Sequence, residues 1–199
     1  MSSENQKRIA ICPGSFDPIT LGHLNIIRRT AQIFDEVIVC VMVNSTKTSP
    51  MFTVEERVDM VRRATERYPN VKVDSSDILL AEYAKQYEGA VIVKGLRAAS
   101  DFEYEFQMNL INKHINPTLE TMFLTSSEKY TFLSSSVVRE LAMYGGDLTG
   151  LVPSELIEEI EKKAVSIHPR RLSSHRMSDA RGRGTLRLHR TMNPRRAVP

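Results

Sequence analysis

Five short runs of β-branched and apolar residues, RIAIC (8–12), VIVCVMV (37–43), VKV (71–73), AVIVK (90–94) and TMFLT (121–125), alternate along the chain with stretches of a different rhythm. In those stretches, 22–34, 54–68, 78–87 and 101–115, apolar residues recur at spacings of three and four, the period of a helix with one buried face. A strand that is apolar at nearly every position must be covered on both sides of its pleat, and a helix between consecutive strands makes them parallel. The alternation predicts an α/β fold: a doubly wound, five-stranded parallel sheet with helices on both faces. Thr53 and Glu56 form a T-x-x-E capping box for the second helix, and Asp77 is the predicted N-cap of the third. Two further helices follow, SSVVRELAMY, ended by Gly145 and Gly146, and PSELIEEIEKKA, with Pro153 as its first residue.

At 199 residues the chain has room for one domain of this kind. Its composition changes abruptly near Ala164. Residues 165–199 hold nine arginines, one aspartate and no lysine, whereas residues 1–164 hold 18 basic and 23 acidic side chains. We read 1–164 as the domain and 165–199 as an Arg-rich, disordered appendage, foreign in composition to the rest, whose one expected interaction is non-specific contact with nucleic acid. The polar start MSSENQKR lacks the apolar core of a signal segment, and the longest apolar run, VIVCVMV, is too short to span a bilayer. Cys12 and Cys40 sit in strand-like runs without metal-ligand spacing. The expected setting is the cytoplasm, away from membranes, with both cysteines reduced.

In an open parallel sheet, ligands bind beyond the carboxyl ends of the strands. The loop after the first strand reads PGSFDPITLGH (13–23), where Gly14 permits close backbone approach, Ser15 brings a hydroxyl, and Thr20 to His23 enter the first helical turn. Free N–H groups at a helix start favour a phosphate, and His23 faces that position. After the fourth strand, Lys94 and Arg97 bracket Gly95; after the fifth, Ser134, Ser135 and Ser136 open a helix; after the second, Lys47 stands in the loop NSTKTSPMF. Each signal alone has a plainer reading: a capping histidine, a solvated basic turn, an N-cap serine, a surface lysine. Their convergence at one sheet edge describes a polyphosphate site, without a metal-ligating cluster of side chains. Mg²⁺ is then expected to be held mainly by substrate oxygens.

The segments GSFDPITLGH, MFTVEER, VKGLRAASDFEYE and FLSSS, in this order and spacing, resemble the phosphopantetheine adenylyltransferases of the nucleotidyltransferase superfamily, with the likeness running through residues 8–163. The resemblance implies a Rossmann-like fold, ATP and 4′-phosphopantetheine as substrates, dephospho-coenzyme A and pyrophosphate as products, and a homohexamer. Carried onto matching positions, it gives His23 the role of stabilising the transition state, with Lys47 and Arg97 as further catalytic cations. Ser15, Phe16, His23, Gly95, Leu96, Arg97, Glu105 and the run Tyr130, Thr131, Phe132, Leu133, Ser134, Ser135 and Ser136 fall on its ATP-binding positions. Ser15, Lys47, Leu80 and Lys94 fall on those for the acceptor. Departures are modest: Ser15 stands where the family often has Thr, Cys12 where it often has an aromatic residue, and Tyr130 where it often has Trp.

Two other enzyme readings share the signature, adenylate transfer to nicotinamide mononucleotide and cytidylate transfer to a small phosphorylated alcohol. A third possibility is a non-catalytic nucleic-acid-binding protein using the tail. The G-H signature also occurs in class I aminoacyl-tRNA synthetases, but this chain has no room for their anticodon-binding domain.

Overall fold

The computed structural model describes residues 7–43 and 49–169. The elements follow in the order β1 (Ile9–Gly14), α1 (Leu21–Ala31), β2 (Glu36–Met42), α2 (Val54–Thr65), β3 (Val71–Ser76), α3 (Leu80–Ala84), β4 (Val91–Leu96), α4 (Ala99–Ile115), β5 (Glu120–Thr125), α5 (Ser135–Met143) and α6 (Ile157–Ile167). The five strands form one parallel sheet in the order β3-β2-β1-β4-β5. The chain therefore builds outward from β1 in one direction, then returns and builds the other way from β4.

The pleat sorts the two faces. On β2, Val37, Val39 and Val41 join a core cluster with residues of α1, α2, α5 and α6, while Ile38 and Cys40 join a second cluster with Ala81, Tyr83 and Ala84 of α3 and Leu119. Successive side chains of a strand point to opposite faces, so a strand covered on both sides needs apolar residues at every position. That is why VIVCVMV shows no alternation. At the opposite end of the sheet, Glu36 accepts from Lys7 and from Lys72, the latter at 2.9 Å, tying β2 to the segments that flank it.

The helix boundaries follow local chemistry. Thr53 and Glu56 make the expected reciprocal capping box on α2. Gly145, at φ 70°, ends α5, with Gly146 N–H donating to the Leu141 carbonyl at 2.8 Å and Gly145 N–H to that of Ala142 at 3.1 Å, a Schellman pattern. Three expectations need correction. Asp77 does not cap α3: β3 stays paired with β2 as far as Ser76, so the chain turns only at 77–79, and the helix begins at Leu80 after Leu79. Pro153 begins a 3₁₀ turn at Ser154–Leu156, and α6 proper starts at Ile157. That helix continues to Ile167, three residues past the expected boundary, with Ala164 fully buried. The appendage reading falls mostly on residues 170–199, outside the described residues.

Candidate active site

The strand order reverses between β1 and β4, and there the sheet opens. β1 pairs with β2 through six residues, Ile9 to Gly14, but with β4 only through Ala10↔Val91 and Ile11↔Ile92. Beyond those pairs the carboxyl ends of β1 and β4 diverge, leaving a crevice at the topological switch point. A cleft of about 620 Å³ occupies it, lined from several loops at once. Gly95 lets α1 pack across this end of β4: a Cβ there would lie 2.8 Å from Ile26 Cγ1. Gly14 serves the opposite wall, where a Cβ would lie 2.9 Å from the Phe16 ring.

The loop between β1 and α1 is held from several sides. Phe16 has φ 44°, a left-handed conformation costly for a bulky residue, and its ring is buried edge-on against His23 with centroids 5.2 Å apart. The neighbouring carboxylate restrains it: Asp17, 1% exposed, accepts from Met51 N–H at 3.1 Å, Phe52 N–H at 3.0 Å and Arg139 Nη1 at 2.8 Å. Arg139 Nη1 also donates to the Asp17 carbonyl at 2.9 Å, buried Arg57 donates to the Ser15 carbonyl at 2.8 Å, and Ser135 Oγ donates to the Pro18 carbonyl at 2.8 Å. The starts of α1, α2 and α5 are thereby fastened to one turn.

His23 occupies the third position of α1 and completes a capping box with Thr20. The Thr20 hydroxyl accepts from His23 N–H at 3.3 Å, and His23 Nδ1 lies 3.1 Å from Thr20 N–H. A backbone N–H can only donate, so Nδ1 presents its lone pair and the proton of the neutral ring sits on Nε2. His23 is thus set up as an Nε2–H donor on a ring whose orientation the helix cap fixes. Its side chain lines the cleft.

The remaining walls bring cations and hydroxyls. Lys94 pairs with Glu105 at 3.2 Å, and both line the cleft. Arg97 donates through Nε and Nη2 to both oxygens of Asp101, at 3.0 and 3.2 Å, and through Nη1 to the Leu133 carbonyl at 3.2 Å. Burial acts to raise the Asp101 carboxyl, but hydrogen bonds from the Arg97 side chain and backbone outweigh it and hold the group below the ordinary carboxylate range. The three serines divide their work: Ser134 caps α5 by accepting from Val137 N–H at 3.2 Å, Ser135 ties the helix to Pro18, and Ser136 accepts from Arg139 at 3.3 Å. Burial pushes the Cys12 thiol up to about 12, so it stands in the wall as a neutral group. Among the described residues no group of three or more His, Cys, Asp or Glu side chains is placed to hold a metal ion.

The cytidylyltransferase-like family model matches residues 11–141. The phosphopantetheine adenylyltransferase of Caldanaerobacter subterraneus subsp. tengcongensis is 51% identical over 156 residues, covering 78% of this chain and 97% of the relative. That of Dictyoglomus turgidum is 53% identical over 154 residues, covering 77% and 96%. The chain belongs to the phosphopantetheine adenylyltransferase family. The fold extends to more distant proteins: the Plasmodium falciparum nicotinic acid mononucleotide adenylyltransferase complexed with NaAD superposes with a TM-score of 0.59 at 16% identity, over 81% of this chain and 98% of that one.

Of the positions that resemble the family's ligand residues, Ser15, Phe16, His23, Leu80, Lys94, Gly95, Arg97, Glu105, Tyr130, Leu133, Ser134, Ser135 and Ser136 line one cleft. Leu96, Thr131 and Phe132 stand outside its lining among the described residues: Thr131 closes a 3₁₀ turn onto the Glu128 carbonyl, and Phe132 is 88% exposed. Lys47 lies outside the described residues. Sequence reasoning missed Asp101, whose i+4 spacing from Arg97 was the available signal. It also missed Tyr104 and Ser126 in the lining, and the supporting trio Asp17, Arg57 and Arg139, which no local pattern connects.

Proposed function

We propose that the protein transfers the adenylyl group of ATP to 4′-phosphopantetheine, forming dephospho-coenzyme A and pyrophosphate in coenzyme A synthesis. The observation that carries this reading is the opening between β1 and β4, where the starts of α1 and α5 meet Lys94, Arg97 and the oriented His23 in one cleft. Helix N-termini and cations are what a triphosphate requires, and they need no reorganisation when charge develops.

The acceptor's phosphate monoester has a second pKa of about 6, so at neutral pH it is already a competent nucleophile and no general base is needed. What remains is to align it with the α-phosphorus and stabilise the equatorial oxygens as the bond to pyrophosphate breaks. His23, donating from Nε2, serves the α-phosphoryl oxygens; Arg97 and the start of α5 serve the departing pyrophosphate. Lys94, with Lys47, receives the acceptor phosphate, and Leu80 and Met42 offer an apolar wall to the pantetheine arm. The cleft's acidic side chains Asp101 and Glu105 are paired with Arg97 and Lys94, so the donor set fits Mg²⁺ carried on phosphate oxygens and water. Bound there, the ion supplies charge neutralisation on the triphosphate.

Assembly as a homohexamer in the cytoplasm completes the proposal. Support for assembly comes from α4, which exposes Phe102, Phe106, Leu110 and Ile111, and from the edge strand β5, which exposes Met122 on the opposite face of the sheet. Asn109 Oδ1 and Thr121 Oγ1 on the same two elements are buried without a hydrogen-bond partner among the described residues. No helix among the described residues is long and apolar enough to cross a membrane. The test supplies ATP or CTP with Mg²⁺ and each of three acceptors: 4′-phosphopantetheine, nicotinamide mononucleotide and a small phosphorylated alcohol. Dephospho-coenzyme A and pyrophosphate are the expected products, and preferential turnover of another pair refutes the reading.

A further inference from the structure

Helix α4 begins without a capping side chain at its N-cap, Ala98. Asp101, in the first turn, instead ties the helix start to the residue before the cap by accepting the Arg97 N–H on Oδ2 at 3.2 Å. The same carboxylate grips the Arg97 guanidinium side-on, through Nε at 3.0 Å and Nη2 at 3.2 Å, while Nη1 reaches the Leu133 carbonyl at 3.2 Å, just before the serines that open α5. Three donors therefore hold Arg97 between the start of α4 and the start of α5. A guanidinium has five N–H groups in a rigid fork, so this grip leaves N–H groups on Nη1 and Nη2 for a ligand. Both Arg97 and Asp101 line the cleft.

We propose that Asp101 is a positioning residue: it fixes the direction in which Arg97 presents its remaining N–H groups to the substrate phosphates. The inference rests on the reading of the cleft as a polyphosphate site. An unrestrained arginine on this loop would have to lose its rotamer freedom in each catalytic cycle, whereas an anchored one has lost it on folding. The carboxylate also keeps the guanidinium from turning toward the neighbouring acid, Glu105, which is left to pair with Lys94 at 3.2 Å. The alternative is that Asp101 competes with substrate phosphate for Arg97, and it predicts the opposite sign: removing the charge would then strengthen ATP binding.

Asp101→Asn separates the two duties of this side chain. The amide oxygen can still accept the Arg97 N–H and tie the helix start, but the NH₂ group cannot accept from the guanidinium, so the two-point grip is lost. The full-length protein is compared as wild type, Asp101→Asn, Arg97→Lys and the double variant, reading kcat, KM for ATP and Tm for each. Lysine keeps the charge at position 97 but cannot make the side-on pair. Arg97→Lys should lower kcat/KM for ATP by about 10-fold or more, and Asp101→Asn by about 10-fold, chiefly in kcat. In the Arg97→Lys background Asp101→Asn should cost less than about 2-fold, while its effect on Tm is the same in both backgrounds. Equal fold losses in both backgrounds would make Asp101 a structural tie only. Tighter ATP binding by Asp101→Asn would establish the competing role, and either result overturns the proposal. If Arg97→Lys alone leaves kcat/KM unchanged, Arg97 is not a phosphate ligand; the reading of the cleft then fails first, and this proposal with it.

Discussion

Replacing His23 tests whether one side chain holds two separable roles. His23→Ala removes the acceptor of the Thr20 N–H, a bond of 3.1 Å, and the edge contact with Phe16 at 5.2 Å. A lost cap is worth about 1 kcal/mol and a lost aromatic pair about 0.5–1.5 kcal/mol, so the variant should be less stable by roughly 2 kcal/mol. For a chain of this size that lowers Tm by about 4–8 °C. The same substitution deletes the Nε2–H donor, which should cost at least about 10²-fold in kcat, or about 2.7 kcal/mol of transition-state stabilisation. Thr20→Ala is the control. It removes the hydroxyl that accepts His23 N–H at 3.3 Å and lies 3.0 Å from Nδ1, but keeps the backbone N–H that donates to the ring at 3.1 Å. Its Tm should fall by about 2–4 °C, while its kcat falls by less than about 10-fold. Thermal denaturation followed by circular dichroism gives one axis, and pyrophosphate release at saturating substrates gives the other. If the two variants lose kcat in proportion to their loss of Tm, or if His23→Ala keeps its kcat, His23 is a cap and nothing more.

Asp17→Ala leaves the Met51 and Phe52 N–H groups and Arg139 without the carboxylate they share, and should cost about 3–5 kcal/mol by urea denaturation; an unchanged midpoint would show that the turn is held elsewhere. Gly95→Ala sets a methyl 2.8 Å from Ile26 Cγ1, so α1 must shift and kcat/KM should fall by about 10-fold. Shortening the neighbour with Ile26→Ala should restore part of it, and failure of that rescue would locate the fault outside this contact. Lys94→Ala should weaken 4′-phosphopantetheine binding by about 10-fold and ATP binding by less than about 3-fold in calorimetry. Equal losses for both ligands would dissolve the division between the subsites.

Much of this architecture is legible because periodicity and capping are local. The unbroken apolar run of β2 announces a strand buried on both faces, and Thr53 with Glu56 announces the start of α2, since a T-x-x-E box needs only one helical turn to form. Asp77 shows where local reasoning fails. An acidic residue before an apolar run is a good cap in isolation, but continued pairing of β3 with β2 through Ser76 takes precedence and delays the helix to Leu80. The segments that carry Ser15, His23, Lys94 and Ser134–Ser136 are legible as strand ends, and parallel topology alone sends them to one edge. Lys94 proves to be still inside β4, paired with Phe123, and His23, Ser135 and Ser136 to lie in the first turns of α1 and α5. The supports were not visible. Asp17, Arg57 and Arg139 meet across 40 residues and more, and each stands in a segment with an adequate local explanation of its own. For His23 the sequence raised a choice between cap and phosphate ligand. The structure shows the cap, and because the same bond fixes the tautomer with the proton on Nε2, the capping role leaves the donor role to be tested rather than excluded.

A reaction whose nucleophile arrives already ionised shifts the burden of catalysis from proton transfer to geometry. The protein must then hold donors from several elements at fixed separations in the absence of substrate, and here those elements are joined through buried polar groups near the turn at Asp17. A hydrocarbon contact could not do this: apolar packing fills space but tolerates sliding, whereas a carboxylate with three aligned donors fixes direction as well as distance. The left-handed backbone of Phe16 fits the same logic. With φ at 44° it costs free energy that an ordinary loop residue would not, and it persists because Asp17, Arg57 and Ser135 secure the residues on either side. Releasing that conformation would turn the Phe16 ring away from His23 and let the imidazole rock about its cap. Strain in the turn and orientation of the donor are therefore maintained by one set of bonds, and a substitution that relieves the first should degrade the second.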